Sequence, residues 1–440
     1  MNYFSLNNNA PKVKFKEAVI RGLAPDRGLY FPEEITPLSS DFIDNIESYS
    51  NEEIAYKVIQ PFVGNEIPEK ELKKIIDETL CFDFPVIEIE DNVATLELFQ
   101  GPTMAFKDVG ARFMARCLGY FNSKNKSNEE ITVLVATSGD TGGAVASGFL
   151  GVKGIKVVIL YPSGKVSDIQ EKQLTTNGQN VSALEVNGVF DDCQEMVKTA
   201  FLDQELKDNM KLTSANSINI ARWLPQMFYF FFAYKTLKKQ GIDKKLVFST
   251  PSGNFGNVCA GLMAHQLGLP IFHFVASTNI NDTVPKYMEA GVYEPKPSKE
   301  TISNAMDVGN PSNFIRIQKI VNNDLYKLKK TFSSYSFTDK ETRKAISTIR
   351  NLNGKYIADP HGAVGYLGLK KFMETNDQVF GVFLETAHPI KFRDTVEQQL
   401  GLTLDIPSQI EAILDKEKES FVIEDYLELK SYLLNRQLKA

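Results

Sequence analysis

The sequence predicts an α/β protein, with parallel sheets wrapped by helices and a mainly helical N-terminal region. Three observations carry that prediction. From about Ile131 onward, short β-branched runs alternate with helical patterns, the order that strand–helix–strand units impose. Two of the strand-to-helix junctions are glycine-rich turns. The first hundred residues instead carry amphipathic helical patterns and few strand signals.

Taken in order, residues 52–62 and 69–80 read as amphipathic helices within an N-terminal region of residues 1–95. Residues 131–136 read as a strand, 137–143 break it, and 144–150 continue as a helix. Further buried strands are expected at 156–160, 180–186, 245–249, 270–276 and 378–384, with helices at 191–206 and 258–267 among the elements between them. A chain of 440 residues exceeds what one core usually serves, so two or three lobes are expected. Neither an internal repeat nor a low-complexity segment is visible.

Composition narrows the function. The formal net charge of -6 offers no basic footprint, so nucleic acid is not expected as a partner. An anionic substrate would need a local positive site. Cys81, Cys117, Cys193 and Cys259 lie far apart without a CxxC pair, and the four histidines are scattered. Neither a disulfide framework nor a metal-ligand cluster is expected. The first residues lack the pattern of a signal peptide. The most apolar stretch, 227–233, is too short to span a bilayer, so a cytoplasmic location without membrane contact is expected.

The two turns are Thr137-Ser138-Gly139-Asp140-Thr141-Gly142-Gly143 and Thr250-Pro251-Ser252-Gly253-Asn254-Phe255-Gly256-Asn257. Each follows a strand and opens a helix, where unpaired N–H groups and the helix dipole favour an anion. Neither has the ending of a Walker loop, and neither is GxGxxG. By themselves they say two anion sites. Lys107 follows Gly101-Pro102-Thr103-Met104-Ala105-Phe106, where Pro102 and Thr103 are good helix starters. Partial burial near a helix N-terminus disfavours the ammonium form, as an imine-forming lysine requires.

These three segments, in this order, resemble fold-type II pyridoxal-phosphate enzymes, and their wording resembles the threonine synthase family of bacterial and fungal type. Arg27 to Pro32, Ser214 to Asn219, Asn279 to Pro285, Ser303 to Val308 and Thr386 to Phe392 add to the resemblance, which spans nearly the whole chain. It implies that Lys107 holds pyridoxal 5'-phosphate and shuttles protons. Gly253, Asn254, Phe255, Gly256 and Asn257 would hold the cofactor phosphate, and Thr386 would meet the pyridine nitrogen. Ser138, Gly139, Asp140, Thr141, Asn216, Ser217, Asn219 and Arg222 would bind substrate. Many relatives have asparagine where this chain has Asp140. His388 and Asp108 read as structural, and Lys165 acquires no role.

The same resemblance implies a large cofactor-binding domain of residues 96–110 and 211–440 and a small mobile domain of residues 111–210. The implied reaction turns O-phosphohomoserine and water into threonine and phosphate, without metal, in a monomer or homodimer. Two rivals stay open: a phospho-lyase releasing 2-oxobutyrate from the same substrate, and a catalytically silent sensor. A serine or threonine dehydratase fits the wording less well.

Overall fold

The computed structural model describes residues 1–125, 129–352 and 354–437. The strands are β1 (Asn2–Ser5), β2 (Val13–Lys14), β3 (Tyr30–Pro32), β4 (Val86–Glu90), β5 (Val93–Glu97), β6 (Ile131–Ala136) and β7 (Ile155–Pro162). They continue as β8 (Val181–Val186), β9 (Lys211–Ser214), β10 (Lys245–Pro251), β11 (Ile271–Thr278), β12 (Phe332–Ser336), β13 (Val379–Glu385) and β14 (Phe421–Ile423). Three sheets result, in the orders β2-β1-β3, β12-β11-β10-β13-β5-β4 and β14-β8-β7-β6-β9. The largest sheet is parallel except for β4, which runs antiparallel to β5. In the third sheet every pairing is parallel.

Every residue of β6 and of β13 is buried. That is why both read as continuous apolar runs: helices cover both sheet faces, so no solvent face remains to alternate with. The helix Phe228–Lys239 buries five aromatic rings in its first five residues and fills the main core beside β10 and β11. Among the described residues no helix is long and apolar enough to cross a membrane.

The two N-terminal helices appear at Asn51–Val63 and Glu69–Thr79, close to expectation. The sheet β2-β1-β3 was not expected. Its strands have four, two and three residues, too few for a period-two pattern to show. The expected boundary at residue 95 falls inside β5, which pairs with β13 at the centre of the largest sheet. The smaller parallel sheet takes β9 and β14 as well as β6 to β8, so it reaches beyond residues 111–210. The helix expected at 191–206 is two, Phe190–Leu202 and Gln204–Asn209, because Asp203 interrupts it and caps the second at Leu206 N–H (3.2 Å).

This topology places three loop starts together. β6, β10 and β13 all end on the side where parallel sheets bind ligands, beyond the carboxyl ends of the strands. From β6 the chain turns into the helix Asp140–Phe149, and from β10 into Gly256–Gln266. Thr386 follows β13 directly.

Candidate active site

Lys107 is the first residue of the helix Lys107–Ser123. The segment before it is tied down from two sides. Asp108 accepts from Thr103 N (2.9 Å) and from Thr103 Oγ1 (2.6 Å), and Gly101 packs so closely that a Cβ there would lie 2.5 Å from the Asp108 carboxylate. Phe106 N–H donates to the Thr386 carbonyl at 2.9 Å, fastening the lysine's neighbour to the end of β13. The structural reading of Asp108 fits this arrangement.

Lys107 lines a cleft shared with Ser138, Asp140, Thr141, Asn216, Ser217, Arg222, the turn Gly253–Asn257 and Thr386. The sequence-predicted residues therefore converge, with two exceptions. Gly139 sits behind the cleft at φ +131°, where the Gln170 carboxamide occupies the space a Cβ would need. Asn219 does not reach the cleft. Its amide donates to the Val19 and Ser214 carbonyls (2.9 and 3.1 Å), and its oxygen caps Ala221 N–H (3.0 Å). With its amide engaged by three protein partners, Asn219 serves as a helix cap and does not line the cleft.

In the second turn, Gly253 lies against the backbone of Ala305 and Met306, and a Cβ would sit 2.7 and 2.8 Å from their atoms. Phe255 adopts left-handed φ +60°, which is costly for a residue with a Cβ. Burial of its ring against Phe314, centroids 5.9 Å apart, holds it there. Asn257 spends its side chain on Pro251 O (2.8 Å), Ser252 Oγ (3.1 Å) and Val258 N (2.8 Å). What it and Gly256 offer is the backbone N–H groups of the first helical turn, which have no acceptor inside the helix.

The electrostatics are local. Protein surrounds the Lys107 ammonium although the side chain keeps partial access to the cleft, and burial pushes its pKa down to about 8. Asp140 opposes that shift, while Lys391 and Arg222 add to it. Arg222 is buried, donates Nη1 to the Ala215 carbonyl, and leaves Nε without an acceptor. Asp140 is held well below the usual carboxylate range: burial works against ionisation, but Lys391, Lys107 and a hydrogen bond from Gln170 outweigh it. Burial lowers His388 to about 4, and its Nδ1 accepts from Ile390 N–H at 3.1 Å, as a structural histidine would.

Sequence reasoning gave no part to Gln226, Asp307 and His361, which also line the cleft, or to the buried Lys391 behind Asp140. Asp307 and Lys391 lie inside segments singled out for their wording, so the signal was present without a role. His361 Nε2 accepts from Ala305 N–H (3.2 Å) and so steadies the turn that faces Gly253.

Comparison with known proteins agrees along the whole chain. Family models match for "Threonine synthase N terminus" at residues 2–80, "Pyridoxal-phosphate dependent enzyme" at 87–381 and "Threonine synthase, C-terminal" at 362–432. Threonine synthase of Escherichia coli is 41% identical over 99% of this chain and 100% of its own length. That of Saccharomyces cerevisiae is 36% identical over 91% and 89%. The crystal structure of the Escherichia coli enzyme superposes with a TM-score of 0.93 over 99% of this chain and 100% of that one. A PLP-bound threonine synthase from Brucella melitensis does so at 0.91, with 34% identity and 99% of each chain covered. With fold, cleft and sequence in agreement from end to end, the chain belongs to the threonine synthase family of fold-type II pyridoxal-phosphate-dependent enzymes.

Proposed function

We propose that the chain converts O-phosphohomoserine and water into threonine and phosphate, with Lys107 carrying the cofactor. The observation that supports this best is a single cleft in which a lysine of lowered pKa faces two glycine turns and a buried arginine. One turn suits the cofactor phosphate. The other, with the arginine, suits a second anionic ligand.

The residues fit pyridoxal phosphate. The turn at Gly253 has no room for a Cβ and presents first-turn N–H groups, as a phosphate cradle requires. Thr386 lines the cleft, and its hydroxyl would meet the pyridine nitrogen. A hydroxyl there does not favour a protonated ring as a carboxylate would. When bound, the cofactor supplies the electron sink that stabilises carbanions on the substrate.

The chain's own groups do the rest. Lys107, near pKa 8, is basic enough to take the α proton and acidic enough to return a proton at the γ carbon. Ser138, Asp140 and Thr141 would contact the substrate at the mouth of the helix Asp140–Phe149. Asn216, Ser217 and Arg222 would hold its phosphate, which leaves from the γ carbon. Water must be kept out before phosphate leaves and admitted to the β carbon afterwards. The small lobe, residues 111–210 together with β9 and β14, is the body whose movement would do this.

Mixing the cofactor-loaded protein with O-phosphohomoserine and measuring threonine, 2-oxobutyrate and phosphate together tests the proposal. Threonine and phosphate in equal amounts are expected. Phosphate with 2-oxobutyrate would make the protein a phospho-lyase, and no phosphate would refute the substrate.

A further inference from the structure

Lys391 is fully buried, as is nearly all of Asp140, and the two side chains meet at 2.6 Å. They come from different parts of the chain: Lys391 from the short turn Pro389–Phe392 after β13, Asp140 from the start of the helix after β6. The Lys391 ammonium also donates to the Thr103 carbonyl at 2.9 Å, and Gln173 Nε2 donates to that same oxygen at 3.0 Å. Asp140 receives a further hydrogen bond from Gln170 Nε2 at 3.0 Å. A buried ion pair with added hydrogen bonds on both partners holds its geometry, and removing one partner would strand the other. Lys107 lines the same cleft as Asp140.

We propose that Lys391 is a positioning residue for the reaction: paired with Asp140 at Oδ1, it offsets the negative charge that would otherwise hold the proton on the Lys107 nitrogen. An aspartate beside a catalytic lysine would ordinarily bind its ammonium and make it a poor base. Here the aspartate is paired at Oδ1 with a fully buried lysine that does not line the cleft. The pair therefore presents Lys107 with little net charge, and burial decides its basicity. The other titratable groups near the pair are Asp108, Arg222 and His388, and each is buried or half-buried.

The inference rests on Lys107 being the residue that carries the cofactor, and the test separates the two ideas. The full-length chain freed of cofactor is mixed with pyridoxal phosphate at a series of pH values. Attachment is stopped at timed points with borohydride, and the Lys107 peptide is weighed. The rate reports the free amine, with a midpoint near 8 expected for the unaltered chain. Asp140→Asn should move the midpoint down and Lys391→Met should move it up, each by about one unit or more. The double variant should return to within about half a unit of the starting value. Lys391→Arg should stay near it. A purely structural pair would shift both single variants the same way, or neither, and that result overturns the proposal. If Lys391→Met does not fold, Asp140→Asn and the double variant decide: a lowered midpoint in the first, restored in the second, supports it, and no lowering refutes it. Failure of any mass to appear on Lys107 would refute the cofactor assignment instead.

Discussion

Asp359 and Glu385 lie together, fully buried, with the Asp359 N–H donating to Glu385 Oε1 at 2.7 Å. Asp359 turns its own carboxylate to the start of the helix Pro360–Met373, where Oδ1 accepts from His361 N and Gly362 N. Each acid keeps one carboxylate oxygen without a partner, Oδ2 of Asp359 and Oε2 of Glu385. Glu385 is pushed well above its ordinary pKa, by burial first and by Asp359 second. Glu385 therefore holds its proton more tightly than a free carboxylate, and it directly precedes Thr386, which lines the cleft.

That assignment has a pH signature. The unfolded chain loses the Glu385 proton near the ordinary carboxylate value while the folded chain keeps it, so folding stability falls as pH rises between those two values. Glu385→Gln keeps the acceptor for Asp359 N–H and cannot ionise. Its stability relative to the unaltered protein should therefore improve steadily from pH 5 to pH 8, by about 1 kcal/mol or more. Urea unfolding at several pH values measures this, and a difference independent of pH would mean Glu385 is ionised in the folded state.

Lys107 carries the opposite linkage. Its pKa falls from 10.5 to about 8 on folding, so between those values the unfolded chain binds more protons and stability rises with pH. Below 8 the folded protein bears a buried ammonium. Lys107→Met should therefore make the cofactor-free chain more stable at pH 7 by about 1–3 kcal/mol, a figure reduced for the lysine's partial access to the cleft. The gain should vanish above about pH 10.5, and threonine formation should be abolished at every pH. An unchanged unfolding midpoint at pH 7 would show that the ammonium is not penalised.

How much of this was readable beforehand depends on the range of the interaction. β6, β10 and β13 are buried on both faces and announce themselves as apolar runs, and the glycine turns after β6 and β10 follow from local backbone demands. The Asp140–Lys391 and Asp359–Glu385 pairs are tertiary: no spacing along the chain reports that residues 251 and 26 positions apart will meet. Asn219 misled for a related reason. It stands in a polar series with Asn216 and Ser217, yet its amide is consumed by Val19, which lies 200 positions away.

Gly253 tests the cradle. An added Cβ would lie 2.7 Å from the Ala305 carbonyl and 2.8 Å from Met306 Cα, both backbone atoms that a rotamer change cannot clear. Gly253→Ala should displace the turn, at a cost of about 1–3 kcal/mol. Pyridoxal phosphate affinity should fall at least about tenfold while the far-ultraviolet dichroism stays unchanged. Titration of the cofactor into the stripped protein reads this out, and unaltered affinity would remove the turn from the cofactor site.

Arg316 is the last case, a buried cation whose hydrogen bonds all go to neutral oxygens among the described residues. Its guanidinium donates to the carbonyls of Tyr30 (2.9 Å), Ser217 (3.2 Å) and Ile218 (2.6 Å) and to Asn313 Oδ1 (2.7 Å), and it lies 4.3 Å from the Trp223 ring centroid. It does not line the cleft, yet two of its four acceptors belong to the loop that carries Ser217 into it. Lysine cannot reproduce a planar fork stacked on an indole. Arg316→Lys should cost about 2–4 kcal/mol of stability. Because the loop would loosen where the substrate phosphate is proposed to sit, KM for O-phosphohomoserine should rise several-fold more than kcat falls. Steady-state kinetics well below the melting temperature separates the two effects. A loss of stability with KM unchanged would confine Arg316 to the core and leave Ser217 positioned by its own backbone.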